Sequence, residues 1–444
     1  MPANIAAQGG QAQVNLFEIE SNYDKPKLDL AGGIIELNYY ESILDNTVRA
    51  TATLADTGYR KEQGSAVTEE KGIKLTTGEK VSLKITDGYN TTLSFLGNKH
   101  LVVQVPRQTA GTTNKITFDL DLITSEAVNN DLVPFRVTKR YDGKISDTVE
   151  KILKEVLKTT KELDIDTTLN SLSVLPITKK PLGLPFGQCT WLGPRSVPDV
   201  QDAKGKLAGF LFFETYEGYK FKSIDKLFEQ KPKRKLIFNN LIGEVPPTYD
   251  AKILQYSFTS SLDLKNILQT GSHLKSELRA MNPYESSYRK NEADSKDQFN
   301  ETNNAGKEQP VIGKFLNIQE QSSRISFKLD DMGALVPGKT LKDQLQKSTY
   351  VNYNNDEILR QSYMRYNNLF STKLSIIIPG DFSLHAGDLL HCDFPEVTSN
   401  NTKLVSEKVS GIYMISDVCH RITKNSCYTR LNLVRDSIGR KASK

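Results

Sequence analysis

Apolar and polar residues alternate in short runs over most of the first 130 positions of the chain. A period of two is the mark of a half-buried strand, and it predicts strands at Val14–Ile19, Gly33–Tyr40, Val48–Leu54, Lys80–Thr86, Thr92–Leu96, His100–Val105 and Lys115–Leu122. In the fourth of these, Val81, Leu83 and Ile85 fall on one face. Turn pairs such as Thr77-Gly78, Asp87-Gly88 and Gly97-Asn98 separate several of them. Many short strands at near-regular spacing predict an antiparallel barrel or sandwich. The small, polar residues 1–13 read as a mobile arm ahead of it.

The period changes after Phe135. Val149, Ile152, Leu153, Val156 and Leu157 recur at helical spacing behind Ser146 and Asp147, which suit a helix start. Residues 173–197, broken by prolines and glycines around the only tryptophan, Trp191, read as an irregular excursion. A weaker helix is expected over Pro198–Leu207, although Gly205 disfavours it. The stretch Gly209–Asp225 then carries the strongest local signal. Phe210-Leu211-Phe212-Phe213 is a buried strand, Glu217-Gly218 a turn, and Tyr219-Lys220-Phe221-Lys222 a half-exposed return strand.

Strand character returns at Lys235–Phe238 and Ile253–Thr259, and a short helix follows near Leu262–Leu268. Residues 279–322 are polar with few apolar anchors, and predict a long loop or an extension that a partner orders. Asn354–Phe370 reads as a helix with Ile358, Leu359, Tyr363, Tyr366 and Phe370 on one stripe. Strands close the chain at Lys373–Pro379, Asp388–Asp393, Gly411–Ile422 and Thr429–Arg435, and Asp436–Lys444 reads as a basic tail. No fixed-period repeat stands out, but the two β-rich ends are candidates for two copies of one architecture.

Length and composition narrow this picture only a little. A chain of 444 residues allows about two to four domains. Its 38% hydrophobic and 25% charged residues are ordinary for packed cores, with a mean hydropathy of −0.44. A net charge of +5 is weak for a dedicated nucleic-acid binder. Cys189, Cys392, Cys419 and Cys427 show no metal-type spacing and are expected as free thiols in a reducing cytosol, although Cys419 and Cys427 have the separation of a hairpin pair. The N-terminus lacks a basic start and apolar core, and no apolar run has the length of a membrane span. Synthesis in a cytoplasm, with no stable membrane association, is the expectation.

Candidate chemistry is sparse. His385, His391, Cys392 and Asp393 are metal-ligand types, but strand alternation points His391 and Cys392 to opposite faces. The same alternation separates Cys419 from His420 and argues against a nucleophile pair. Glu18, Glu36 and Asp45 are scattered carboxylates, not a glycosidase pair. The basic run Lys231–Lys235 reads as a solvated strand entry before it reads as a phosphate contact. P-loop, GxGxxG, HExxH and GxSxG strings are absent. No catalytic, cofactor-binding or metal residue is assigned, and the chain reads as a structural part.

Several blocks resemble one family, the baseplate hub proteins of contractile-tailed bacteriophages. GFLFFETYEGYKFKSIDKL resembles that family's central hairpin, and KRYDGKISDTVEKILKEVL the segment and helix before it. SGIYMISDVCHRITKNSCYTRLNLVRDS is similar to its closing strands, and LSIIIPGDFSLHAGDLLHCDFP to the strand pair preceding them. The resemblance implies a mainly β fold with α+β parts: two tail-tube-like antiparallel β-barrel domains, a central α/β domain and an inserted segment. The corresponding limits are 1–134, 135–230, 231–275 with 371–436, an insertion at 276–370 and a tail at 437–444. It implies a homotrimer whose two barrels per chain make a pseudo-hexameric ring, without enzymatic activity or cofactor, in the tail baseplate of the virion. Its implied partners are the tail tube or tube initiator, the central spike, wedge proteins and, transiently, DNA in the channel. The rival expectations are a tail-carried cell-wall hydrolase and the spike of a related contractile secretion system. Residues expected to matter through packing or interfaces are Phe210, Phe212, Tyr219, Phe221, Ile412, Met414, Leu431 and Leu433.

Overall fold

A computed structural model describes residues 10–23, 27–56, 60–62, 65–67, 75–112, 115–172, 174, 181, 183–201, 204–239, 245–260, 262–282, 287–318, 321–329, 355–396 and 405–441. Most of the N-terminal arm, the turn at Thr57-Gly58 and the last three residues of the tail lie outside them.

The first β region holds β1 (Ala12–Glu20), β2 (Ile34–Ser42), β3 (Arg49–Asp56), β4 (Lys80–Asp87), β5 (Leu101–Thr112) and β6 (Lys115–Thr124). The second holds β7 (Arg234–Ile237), β8 (Gln255–Ser260), β9 (Thr372–Pro379), β10 (Leu389–Asp393), β11 (Gly411–Thr423) and β12 (Cys427–Arg435). Alternation drives each strand onto a core: Val81, Leu83 and Ile85 of β4 are fully buried, as are Leu431 and Leu433 of β12.

The two regions have the same strand order. Neighbours run β2-β3-β6-β5-β4-β1 in the first and β8-β9-β12-β11-β10-β7 in the second. All pairs are antiparallel except the last, where β7 is parallel to β10 but β1 is antiparallel to β4. The likeness extends to register. Lys80 and Val81 face Val102 and Leu101, as Leu389 and Leu390 face Met414 and Tyr413. A bulge follows at the same place in each: Gln104 of β5 and Ser416 of β11 have no opposite residue. The turns entering β4 and β10 also match. Leu75-Thr76-Thr77-Gly78-Glu79 and Leu384-His385-Ala386-Gly387-Asp388 each place a glycine at positive φ (88° and 89°). In each, the acidic side chain accepts the amide three residues before it, Thr76 N to Glu79 Oε1 (2.6 Å) and His385 N to Asp388 Oδ2 (2.8 Å).

Neither region closes as a continuous barrel ladder, which corrects the expectation of two closed barrels. Lys27–Asp29 pairs with β1, but the ladder breaks in the tight turn Ala31–Gly33 before β2 begins. Likewise Ala251–Lys252 pairs with β7, and the break falls at Ile253 and Leu254, whose amides donate in turn to Ile237 O and Ile377 O (both 2.8 Å). Each region is an open sheet curled around its own core. The two are fused where the edge strand β2 of the first region pairs with the far part of β11, from Asp417↔Ser42 to Thr423↔Glu36. One mixed sheet, of 15 strands among the described residues, results.

The central unit packs a three-stranded sheet, with Glu162–Ile165 parallel and Phe210–Glu214 antiparallel to Gly218–Ser223, against the helix Ile145–Lys151 and its π-helical continuation Ile152–Val156. The second helix lies at Pro185–Leu192, inside the stretch expected to be irregular, and among the described residues of 198–207 no helix forms. Pro185 at the first helical turn and Phe186, Cys189 and Leu192 on the buried side explain the switch. The polar stretch 279–322 is also not a bare loop. Ser287–Ala293, Lys275–Asn282 and Ser322–Leu329 form a sheet, and the helix Ser295–Glu301 follows the first of them. The helix Asn355–Leu369 buries Ile358, Ser362, Arg365 and Leu369, with Tyr363 turned outward, so its inner face contains a charge. Residues 436–441 are docked and do not form a free tail: Arg440 bonds Asp393 (3.1 Å) and Lys441 reaches Asn304 O (2.9 Å). Among the described residues no helix is long and apolar enough to cross a membrane.

Candidate functional site at the junction of the units

Where the two β regions and the central unit meet, buried polar groups lie beside an apolar cluster that includes Ile43, Phe213 and Leu389. Glu41, near the end of β2, is fully enclosed. Its Oε1 accepts from Tyr39 Oη (2.7 Å), Tyr216 N (2.8 Å) and His385 Nδ1 (3.0 Å), and its Oε2 accepts from Ala386 N (3.0 Å). One carboxylate thereby ties the first β region, the central hairpin turn and the turn entering β10. Burial works against its charge, but the His385 imidazolium and these donors hold its pKa at about 2. His385 is raised above its ordinary value: burial lowers it, and Glu41 more than offsets that.

The His385 contribution is complete below the unfolded histidine value near pH 6.5 and is lost as pH rises through the higher folded value. The Glu41 contribution is complete above the usual carboxylate range and is lost only as pH falls toward about 2. Denaturant midpoints are therefore expected to fall from pH 6 to pH 9 in the native chain and to change less in His385→Asn. An unaltered slope in that variant would show that the pair is not linked to folding.

A second cluster joins the first β region to the central unit. Lys161 Nζ sits between Glu214 Oε1 (2.6 Å) and Glu126 Oε2 (2.8 Å), and Glu214 Oε2 accepts from Val48 N (2.9 Å). Burial disfavours both carboxylate charges. Beside Lys161, Glu126 ends below its ordinary value, whereas the fully enclosed Glu214 ends above it. The third cluster centres on Arg365, which donates to Asp436 Oδ2 (2.6 Å), Asp225 Oδ1 (2.9 Å) and Asn303 O (2.6 Å). It joins the long helix, the central unit, the inserted segment and the chain end.

The residues weighed for chemistry are absorbed into structure. His391 bonds Asp393 (3.1 Å) while Cys392 points into the second core. His420 bonds Thr429 (2.8 Å) and stacks on Tyr39. All four cysteines are free, with Cys427 opposite Ile422 and Cys419 opposite Arg430. Glu18, Glu36 and Asp45 pair with Lys27, Arg421 and Arg49. In the basic run, Lys233 and Arg234 pair with Asp388 and Asp381 (3.0 Å each). Among the described residues no group of three His, Cys, Asp or Glu is placed to hold a metal ion. A groove of about 670 Å³ runs along the β2–β11 seam, and four of the charges that line it form two pairs, Glu36 with Arg421 and Asp45 with Arg49.

The packing candidates fall into three cores. Phe210, Phe212, Tyr219 and Phe221 line the central core, Leu431 and Leu433 the second β core, and Met414, with Ile412 at its margin, the junction between them. Sequence reasoning missed the buried charges altogether. Their partners lie far apart along the chain, and a lone Glu41 or Arg365 gives no local signal.

No protein-family model and no curated protein matches the chain. Solved structures do. The tail protein of Neisseria meningitidis MC58 aligns with TM-score 0.50 at 9% identity, over 96% of this chain and 97% of that one. The 43 kDa tail protein of prophage MuSo2 from Shewanella oneidensis aligns with TM-score 0.52 at 7% identity, over 96% and 100%. An E. coli component of the type VI secretion system aligns with TM-score 0.41 at 9% identity, over 97% and 79%. The structural neighbours of this chain are phage tail and baseplate proteins and secretion-machine parts, and it shares one fold with the Neisseria and Shewanella tail proteins over nearly its whole length.

Proposed function

We propose that this chain is a structural baseplate hub of a contractile phage tail, acting by shape and interface and not by catalysis. The observation that carries this reading is the duplicated six-strand arrangement joined side by side through β2 and β11. Three such chains present six similar sheets around an axis, so a threefold ring imitates a sixfold one. A ring of that kind adapts a sixfold tail tube to a threefold central spike and surrounds the path of the DNA, with wedge proteins outside it. The proposed division of the chain is 1–134, 135–230, 231–275 with 371–436, an insertion at 276–370 and a tail at 437–444. The likeness to the Neisseria and Shewanella tail proteins supports a place in the virion tail.

The test is the mass of the purified chain by light scattering, alone and mixed with its candidate spike. A trimer that takes up a trimeric spike is the expected result. A chain that stays monomeric at tens of micromolar, with and without spike, would overturn the hub reading. Clearing of a peptidoglycan gel by the pure chain would favour a hydrolase instead.

A further inference from the structure

The β2–β11 joint is made within one chain, but the repeated architecture supplies its two halves a second time. By the registers above, β5 is the counterpart of β11 and β8 the counterpart of β2. In the joint, the part of β11 beyond the Ser416 bulge leaves β10 and pairs with β2. The corresponding part of β5, beyond the Gln104 bulge, has left β4 and pairs only with β6 among the described residues. β8 likewise pairs only with β9 among them. Unpaired edges of this kind recruit another strand.

Burial separates the used copy from the unused one. Leu37 and Tyr39 of β2 are fully buried where β11 covers them. Their register counterparts in β8, Tyr256 and Phe258, are each 39% exposed, and Leu254 beside them is 46% exposed. Large apolar side chains on an open strand edge mark an interface surface.

We infer that β5 of one copy of this chain pairs antiparallel with β8 of the next, repeating between chains the β2–β11 joint made within each. Transferring the register of that joint places Pro106 opposite Ser260, Arg107 opposite Thr259 and Gln108 opposite Phe258, the counterparts of Val418↔Glu41, Cys419↔Tyr40 and His420↔Tyr39. The contact is heterologous, so successive copies close a ring in which internal and external joints alternate. Closure at three copies rests on the hub reading; the strand register does not. Pro106 has no amide where β11 has Val418, so the external joint carries one donor fewer than the internal one. Proline and a charged residue on a strand edge also restrain indiscriminate pairing before the correct partner arrives.

The experiment uses the full chain with Arg107→Cys and Thr259→Cys, both at exposed positions, under mild oxidation. The expected result is a reducible band at the mass of three chains on a denaturing gel. Mixing the two single variants should give a reducible dimer, and neither single variant alone should give it. Moving one cysteine by two positions, Arg107→Cys with Ser257→Cys, should lower the yield about tenfold, because disulfide geometry is narrow. A native chain that is trimeric in solution, while the two introduced thiols fail to bridge, would overturn this interface and leave the hub reading standing. A chain that is monomeric and unbridged would overturn both.

Discussion

Replacing Arg365 by methionine is expected to lower the unfolding free energy by about 3–5 kcal/mol, the usual cost of stripping one partner from a buried charge cluster. The guanidinium is enclosed by Asp225 and Asp436, whose side chains are 3% and 1% exposed. Burial already raises the Asp225 pKa with the arginine in place. Without it, two carboxylates remain facing each other with Asn303 N and Ala305 N as donors. Urea unfolding at fixed protein concentration measures the loss. Arg365→Met combined with Asp225→Asn and Asp436→Asn should recover much of it, since an uncharged cluster leaves no stranded ion. A loss below about 1 kcal/mol in the single variant would mean that water reaches these carboxylates.

The second large effect is expected at Phe212→Asp. Phe212 is 5% exposed, stacks on Tyr219 (centroids 5.8 Å apart) and tilts against Phe186 (5.9 Å). Removing a buried phenylalanine costs about 3–5 kcal/mol, and an enclosed carboxylate adds a desolvation cost. Together these exceed what the central unit can lose, so the variant should fail to assemble and should lose its near-UV circular dichroism. Phe212→Leu, which keeps an apolar side chain, should retain both. A soluble, folded and correctly assembled Phe212→Asp chain would show that this ring does not sit in the core.

The strands were the most legible part of this chain, because a face such as Val81, Leu83 and Ile85 records burial directly in the residue types. The long helix Asn355–Leu369 was legible in extent but not in orientation. Its inner face holds Ser362 and Arg365, which an apolar-stripe reading assigns to water. The helix Pro185–Leu192 was hidden by surrounding prolines and glycines, although Phe186, Cys189 and Leu192 carried its spacing. The sheet at 275–329 was missed because its alternation is thin and its strands are held by pairing more than by apolar burial. The junction was illegible for a different reason. Glu41 meets His385 across 344 positions and Arg365 meets Asp225 across 140, and such meetings belong to topology. The matched turns at Leu75 and Leu384 share too few residues to be noticed until their hydrogen bonds coincide.

The first core is completed by side chains from the far end of the sequence. Phe382, Ile422 and Cys427 are packed inside it, Phe382 N donates to Asp87 Oδ2 (2.7 Å), and Cys427 N donates to Gly10 O (2.7 Å). The amino-terminal third therefore cannot finish folding on the ribosome until residues near 430 have emerged. A chain truncated earlier presents an unfilled hydrophobic surface to proteases and chaperones. An incomplete copy is thereby distinguished from a finished one by its unfilled first core until β12 arrives.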